Sequence, residues 1–155
     1  MPMNLYKIPQ TTFYPLYLFS NLMRGASLSV HVTSPSYQGP TVPAFIHNLS
    51  VATPDLAKLT KYIDVSAVLT DDRSEVRLAI VNRHEADSFD IPILFGPSCK
   101  LAENGISVYE IYSDSLKDSN GFDRETVKTV RKDVTFNGIY AVKKHSFQGN
   151  RYSLR

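Results

Sequence analysis

Five glutamates, Glu75, Glu85, Glu103, Glu110 and Glu125, are the first residues to weigh, because two convergent carboxylates can divide general-acid and nucleophile or base roles between them. No two of the five converge on sequence grounds. Glu75 falls at a turn, Glu85 and Glu103 in loops, Glu110 on an otherwise apolar extended run and Glu125 in a polar connection. The densest constellation is Asn82-Arg83-His84-Glu85, where a histidine beside a carboxylate could serve as a general base. Adjacent strand residues point to opposite faces, so His84 and Glu85 share a site only at a bulge. The structural reading is the stronger one. In it Arg83 pairs with a carboxylate across a sheet, while Asn82 and His84 satisfy backbone groups at a strand end.

The remaining chemistry is sparser. His31, His47 and His145 sit on separate elements without zinc-ligand spacing, and Lys143-Lys144-His145 reads as a solvated strand. Cys99 is the single cysteine, which excludes an internal disulfide and reads as a loop thiol. There is no glycine-rich phosphate loop and no Gly-x-Ser-x-Gly elbow. Nine tyrosines and no tryptophan raise the question of stacking on sugar rings. Tyr109 and Tyr112 have opposite strand parity, so at most one shares a face with Tyr140. Tyr140 is the candidate sugar contact, set against core packing with its hydroxyl at the rim. Asn48-Leu49-Ser50 is an N-glycosylation acceptor, making Asn48 a modification candidate.

These side chains must be positioned by the stretch from Tyr62 to His84, which reads as two strands folded across a polar turn. With Asp71 to Ser74 as the loop, Leu69 falls opposite Val76, Ala67 opposite Leu78 and Val65 opposite Ile80. Both apolar rows then share a face, and a slip of one residue would turn one row to solvent. Upstream, Tyr14 to Arg24 has helical spacing, with Pro15 in the first turn and Gly25 at the C-cap. Ala26 to Ser34 alternates as a strand with Leu28, Val30 and Val32 inward. Val42 to Phe45 reads as a short extended piece, and Thr53 to Lys61 as a turn or two of helix. Downstream, Ser88 to Phe95 alternates around Pro92, which assigns it to an edge. Ile106 to Tyr112 is apolar on both faces and reads as central. Asn137-Gly138 predicts a type I′ hairpin pairing Phe136 with Ile139 and Val134 with Ala141. Gln148 to Arg155 is polar and is expected to fray.

The chain of 155 residues fits one domain with its own core. Hydrophobic content of 43% and charged content of 21% are ordinary for a globular chain and do not indicate disorder. Its 17 basic and 15 acidic residues are interspersed, which argues against a nucleic-acid surface. No apolar run approaches the roughly 20 residues of a spanning helix, and no secretory leader is visible, so neither membrane insertion nor export is indicated by the chain itself.

The runs FYPLYLFSNLMRG, VHVTSPSYQGP, DVSAVL, LAIVNRHE and KKHSF together resemble the C-terminal region of α-L-arabinofuranosidases of glycoside hydrolase family 51, from about Thr11 to Phe147. The resemblance implies a mainly β fold, an antiparallel two-sheet sandwich of jelly-roll type, preceded by one helix left from a (β/α)8 barrel. Residues 1–25 would carry that last barrel helix and residues 26–155 the sandwich. It also implies a parent enzyme, extracellular and cofactor-free, that removes terminal arabinofuranosyl groups from plant cell-wall arabinan or arabinoxylan with retention. Both catalytic glutamates of the family lie upstream, so none of the five here inherits that role, and no metal is implied. This portion would then support the barrel, its missing partner, through an apolar patch around the helix. The alternatives are a free-standing carbohydrate-binding β-sandwich module or a non-catalytic fragment.

Overall fold

The computed structural model describes residues 10–38, 59–97, 99–101, 105–115, 117–121, 124–142 and 146–153. Val42 to Phe45, Asn48, His47, Glu103, the Lys143-Lys144-His145 run and most of the Thr53 to Lys61 segment lie outside them. Among the described residues one helix, α1 (Phe13–Leu22), precedes ten strands: β1 (Ala26–Leu28), β2 (Ser36–Gln38), β3 (Leu59–Lys61), β4 (Ile63–Leu69), β5 (Glu75–Asn82), β6 (Phe89–Pro92), β7 (Ile106–Tyr112), β8 (Lys128–Val134), β9 (Ile139–Val142) and β10 (Phe147–Ser153). Leu59–Lys61 is therefore extended where a helical turn was predicted. It pairs with β2 instead.

Six strands form one antiparallel sheet in the order β1-β4-β5-β10-β7-β8, and β6 pairs with β9. The β4–β5 hairpin has the predicted register, with Leu69 opposite Val76, Ala67 opposite Leu78 and Val65 opposite Ile80. Its turn is held by Asp72, whose carboxylate accepts from the Thr70 hydroxyl at 2.6 Å and the Ser74 amide at 3.1 Å. Those bonds, the Thr70 hydroxyl foremost, lower the Asp72 pKa to about 2. Arg73 supplies the left-handed residue at φ 57°.

The sheet is covered on both faces. On one, Val76, Leu78, Ile80, Val108 and Tyr152 pack against Tyr140 and Val142 of β9 and Phe89 and Ile91 of β6. On the other, Ile111, Tyr109 and Phe147 pack against Tyr14, Leu18 and Leu22 of α1, spaced four residues apart along one helical stripe. The result is a β-sandwich with a helix laid on its outer sheet.

Three sequence expectations give way here. Asn137-Gly138 does not close a hairpin: β8 pairs with β7 and β9 with β6, so this turn carries the chain from one sheet to the other. A type I′ turn needs positive φ at both central residues, but only Gly138 has it, at 93°. The Asn137 side chain instead accepts from the Ile139 amide at 3.3 Å, a local bond that competes with the hairpin geometry. The polar end does not fray either. Phe147–Ser153 is strand β10, inserted between β5 and β7 and paired with both. Finally, β1 stops at Leu28, and Leu28 and Val30 stay exposed, because this edge strand has only the end of β4 to pair with.

Gly25 turns the chain from α1 into β1 at φ +133°, and a Cβ there would lie 2.0 Å from the Leu69 carbonyl oxygen. Gly25→Ala should destabilise the fold by about 3 kcal/mol, the upper range of overpacking, in urea unfolding. Gly96→Ala, which meets nothing within 4 Å, should be near neutral.

Candidate functional site

The Asn82 to Asp87 turn completes the end of β5 by hydrogen bonds rather than by assembling a catalytic pair. The Asn82 amide donates to the Asp87 carbonyl at 2.9 Å, and its oxygen accepts from the His84 amide at 2.9 Å. His84 Nδ1 accepts from the Ala86 and Asp87 amides at 3.2 and 2.8 Å, which leaves Nε2 facing the Asp87 carboxylate at 3.4 Å. Arg83 reaches across to Asp64 at 2.7 Å, the predicted cross-sheet pair. Above this turn runs a column of rings. Tyr37 stacks on Tyr62 at 4.8 Å, Tyr62 meets His84 at 4.4 Å and His84 meets Phe89 edge-on at 5.7 Å. The column spends its ring faces on itself and ties β2, β5 and β6 together at one end of the sandwich.

The described glutamates are each placed by strand parity. Glu75 lies on the helix side of the large sheet, where it binds Arg77 at 2.8 Å and Arg151 at 2.5 Å. Burial pushes its pKa up, but the hydrogen bonds and charges of Arg151 and Arg77 outweigh that and hold it below the ordinary carboxylate range. Glu110 lies on the opposite face, between the layers. Its side chain is only 6% exposed and pairs with Lys132 Nζ at 3.0 Å, an ammonium 37% exposed. Burial pushes the Lys132 pKa down, and the hydrogen bond and charge of Glu110 raise it overall. Because the sheet separates Glu75 from Glu110, these two cannot flank one substrate. Glu85 is exposed in the turn, and Glu125 accepts a hydrogen bond from Tyr14.

Tyr140, the candidate sugar contact, is 7% exposed and belongs to the core, with Lys132 Nζ 6.0 Å from its ring centroid. A ring covered by both layers offers no face for a sugar. Asn48 lies outside the described residues. Among the described residues, no group of three or more histidine, cysteine, aspartate or glutamate side chains is placed to hold a metal ion.

The outstanding surface is instead the outward face of α1. Phe13 and Tyr17 stack at 5.4 Å and are half exposed, as is Phe19, and Leu16 is 70% exposed. The helix sequence FYPLYLFSNL carries no charge, so nothing on this face repels an apolar neighbour. A surface helix ordinarily turns charged residues outward. An uncharged aromatic ridge is the composition of a face made to be covered.

The fold is an antiparallel β-sandwich carrying one uncharged helix with an exposed apolar ridge. No protein-family model matches the sequence. The chain is 36% identical over 137 residues to a probable α-L-arabinofuranosidase C of Aspergillus flavus, covering 88% of this chain and 24% of that protein. It is 33% identical over 139 residues to the α-L-arabinofuranosidase C of Emericella nidulans, covering 90% of this chain and 25% of that one. Among solved structures, the α-L-arabinofuranosidase of Thermotoga maritima in its arabinose complex superposes with a TM-score of 0.74 at 18% identity, over 95% of this chain and 30% of that one. A family 51 α-L-arabinofuranosidase of Bifidobacterium longum superposes with a TM-score of 0.69 at 17% identity, over 94% and 26%. Over about nine-tenths of its length the chain is thus homologous to part of the α-L-arabinofuranosidases, and its β-sandwich is the fold expected of their C-terminal domain. It spans about a quarter of the length of the curated relatives it matches.

Lys132→Met would leave the Glu110 carboxylate without its ammonium between the layers. The expected loss is about 2 to 3 kcal/mol at neutral pH, below the full value for a buried pair because Lys132 is partly solvated. Chemical denaturation of the variant checks it.

Proposed function

We propose that this chain is the C-terminal, non-catalytic portion of an α-L-arabinofuranosidase, and that it supports the enzyme's (β/α)8 barrel by covering one side of it with the ridge of α1. The parent would hydrolyse terminal non-reducing arabinofuranosyl groups of arabinan or arabinoxylan with retention, extracellularly and without a cofactor. The observation that carries this reading is the uncharged ridge of Phe13, Leu16, Tyr17 and Phe19 on a chain whose relatives are about four times its length. The carboxylates add to it. Glu75, Glu110 and Glu125 are each engaged by a neighbour, and Glu75 and Glu110 sit on opposite faces of one sheet. Neither arrangement suits a retaining pair. In this reading residues 1–25 close the barrel and residues 26–155 form the support.

The purified chain should show no turnover of an aryl arabinofuranoside. Co-expressed with the remaining three quarters of the Aspergillus flavus relative, it should restore soluble, active enzyme. Leu16→Glu with Phe19→Glu, both at exposed positions, should leave the sandwich folded and abolish that rescue. Hydrolysis by the chain alone, or rescue unaffected by the double substitution, overturns the proposal.

A further inference from the structure

We infer that α1 is latched to the sandwich at both ends, so that the helix by which the chain would close the proposed barrel is held folded by the sandwich itself. The inference deepens the proposed function and rests on it for the identity of the partner. It does not rest on it for the latch.

A ten-residue helix is marginal in water, since lengths below about 12 to 15 residues do not repay nucleation. Its local help is slight: Thr12 makes no side-chain cap, the first turn has no acid and the last turn no base, and the exposed Arg24 just beyond it donates to the Ser20 carbonyl at 2.7 Å. Its order has to come from what it touches. At its start, the buried Tyr14 hydroxyl donates to Glu125 Oε1 and accepts from Asn120 Nδ2 at 3.0 Å. Asn120 is itself fixed, because its amide donates to the Val127 carbonyl at 2.8 Å and its oxygen accepts from the Val127 amide at 2.8 Å. The side chain thus copies a strand partner and sews the connection ahead of β8 to the helix. Val127 is buried and packs with Tyr14, Leu18 and Ile111.

At the other end, Arg77 Nη1 donates to the Leu22 carbonyl at 3.1 Å while its Nε donates to Glu75 at 2.8 Å. The open last carbonyls of a helix are thereby tied to β5. Gly149 leaves the room that Leu22 occupies, for a Cβ there would stand 2.8 Å from Leu22 Cδ1. Both ends and the Tyr14, Leu18, Leu22 stripe are committed to the sandwich, which leaves the exposed Phe13, Leu16, Tyr17 and Phe19 side chains for a neighbour. The helix therefore meets its partner already folded and already aimed. Tyr14 is the positioning residue of that face.

Hydrogen exchange on the full 155-residue chain tests this. Helix amides of the parent chain should be protected alongside β7. Tyr14→Phe should speed their exchange by about tenfold, the scale of a lost hydrogen bond to a charged group, without changing β4 and β5. Glu125→Gln, which keeps an acceptor, should retain most of the protection, and Leu16→Glu should retain all of it. Helix amides that exchange like an unstructured peptide in the parent chain, or a Tyr14→Phe chain with unchanged helix protection, overturn the latch. A latched helix with failed co-expression rescue would instead sink the proposed partner and leave the latch standing.

Discussion

The structure depends on one insertion: β10 entering between β5 and β7 with different chemistry on its two faces. Inward, Asn150 and Tyr152 are almost fully buried, and Tyr152 meets Phe95 and Phe136 edge-on at 5.1 and 5.2 Å. Burial pushes the Tyr152 pKa up to about 12, while Asn150 donates to its hydroxyl at 3.2 Å. Toward the helix, Gly149 yields space to Leu22, Phe147 joins the apolar floor and Arg151 binds Glu75 of the neighbouring strand. One short segment thus completes the sheet, fills the sandwich core and shapes the seat of α1.

That segment is where sequence reasoning failed, and the reason is physical. Alternation is visible when one face is apolar and the other polar. In Phe147–Ser153 both faces mix the two: Asn150 beside Tyr152 on one, Arg151 beside Gly149 on the other. Arg151 is balanced by Glu75, which only the tertiary fold brings near, and the buried Asn150 donates to Tyr152 two residues along its own strand. By contrast the β4–β5 register was legible to the residue, because Val65, Ala67, Leu69 and their partners form clean rows and the Asp72 turn is local. Asn137-Gly138 misled for the opposite reason. Its local signal was strong, but β9 leaves the edge of β8 open and pairs with β6 in the other sheet.

The candidate site was legible in its class and less so in its geometry. The structural role of Asn82, Arg83 and His84 followed from parity and strand-end accounting, and the bonds these side chains make are those such accounting requires. The apolar character of α1 was also plain from its composition. Which of its apolar residues face the sheet was not, since an all-round uncharged helix has no polar side to orient it. The Tyr14, Asn120 and Glu125 bonds join residues more than a hundred positions apart, and nothing in local spacing announces them.

The place of β10 also sets the order of events at the ribosome. Its two neighbours are complete long before residues 147–153 are synthesised, and until then β5 and β7 each present an open edge. The nascent sheet must wait in two halves, held apart from other chains by whatever shields those edges. Closure then comes in a single late zipping step that depends on contacts distant in sequence, a slow kind of pairing.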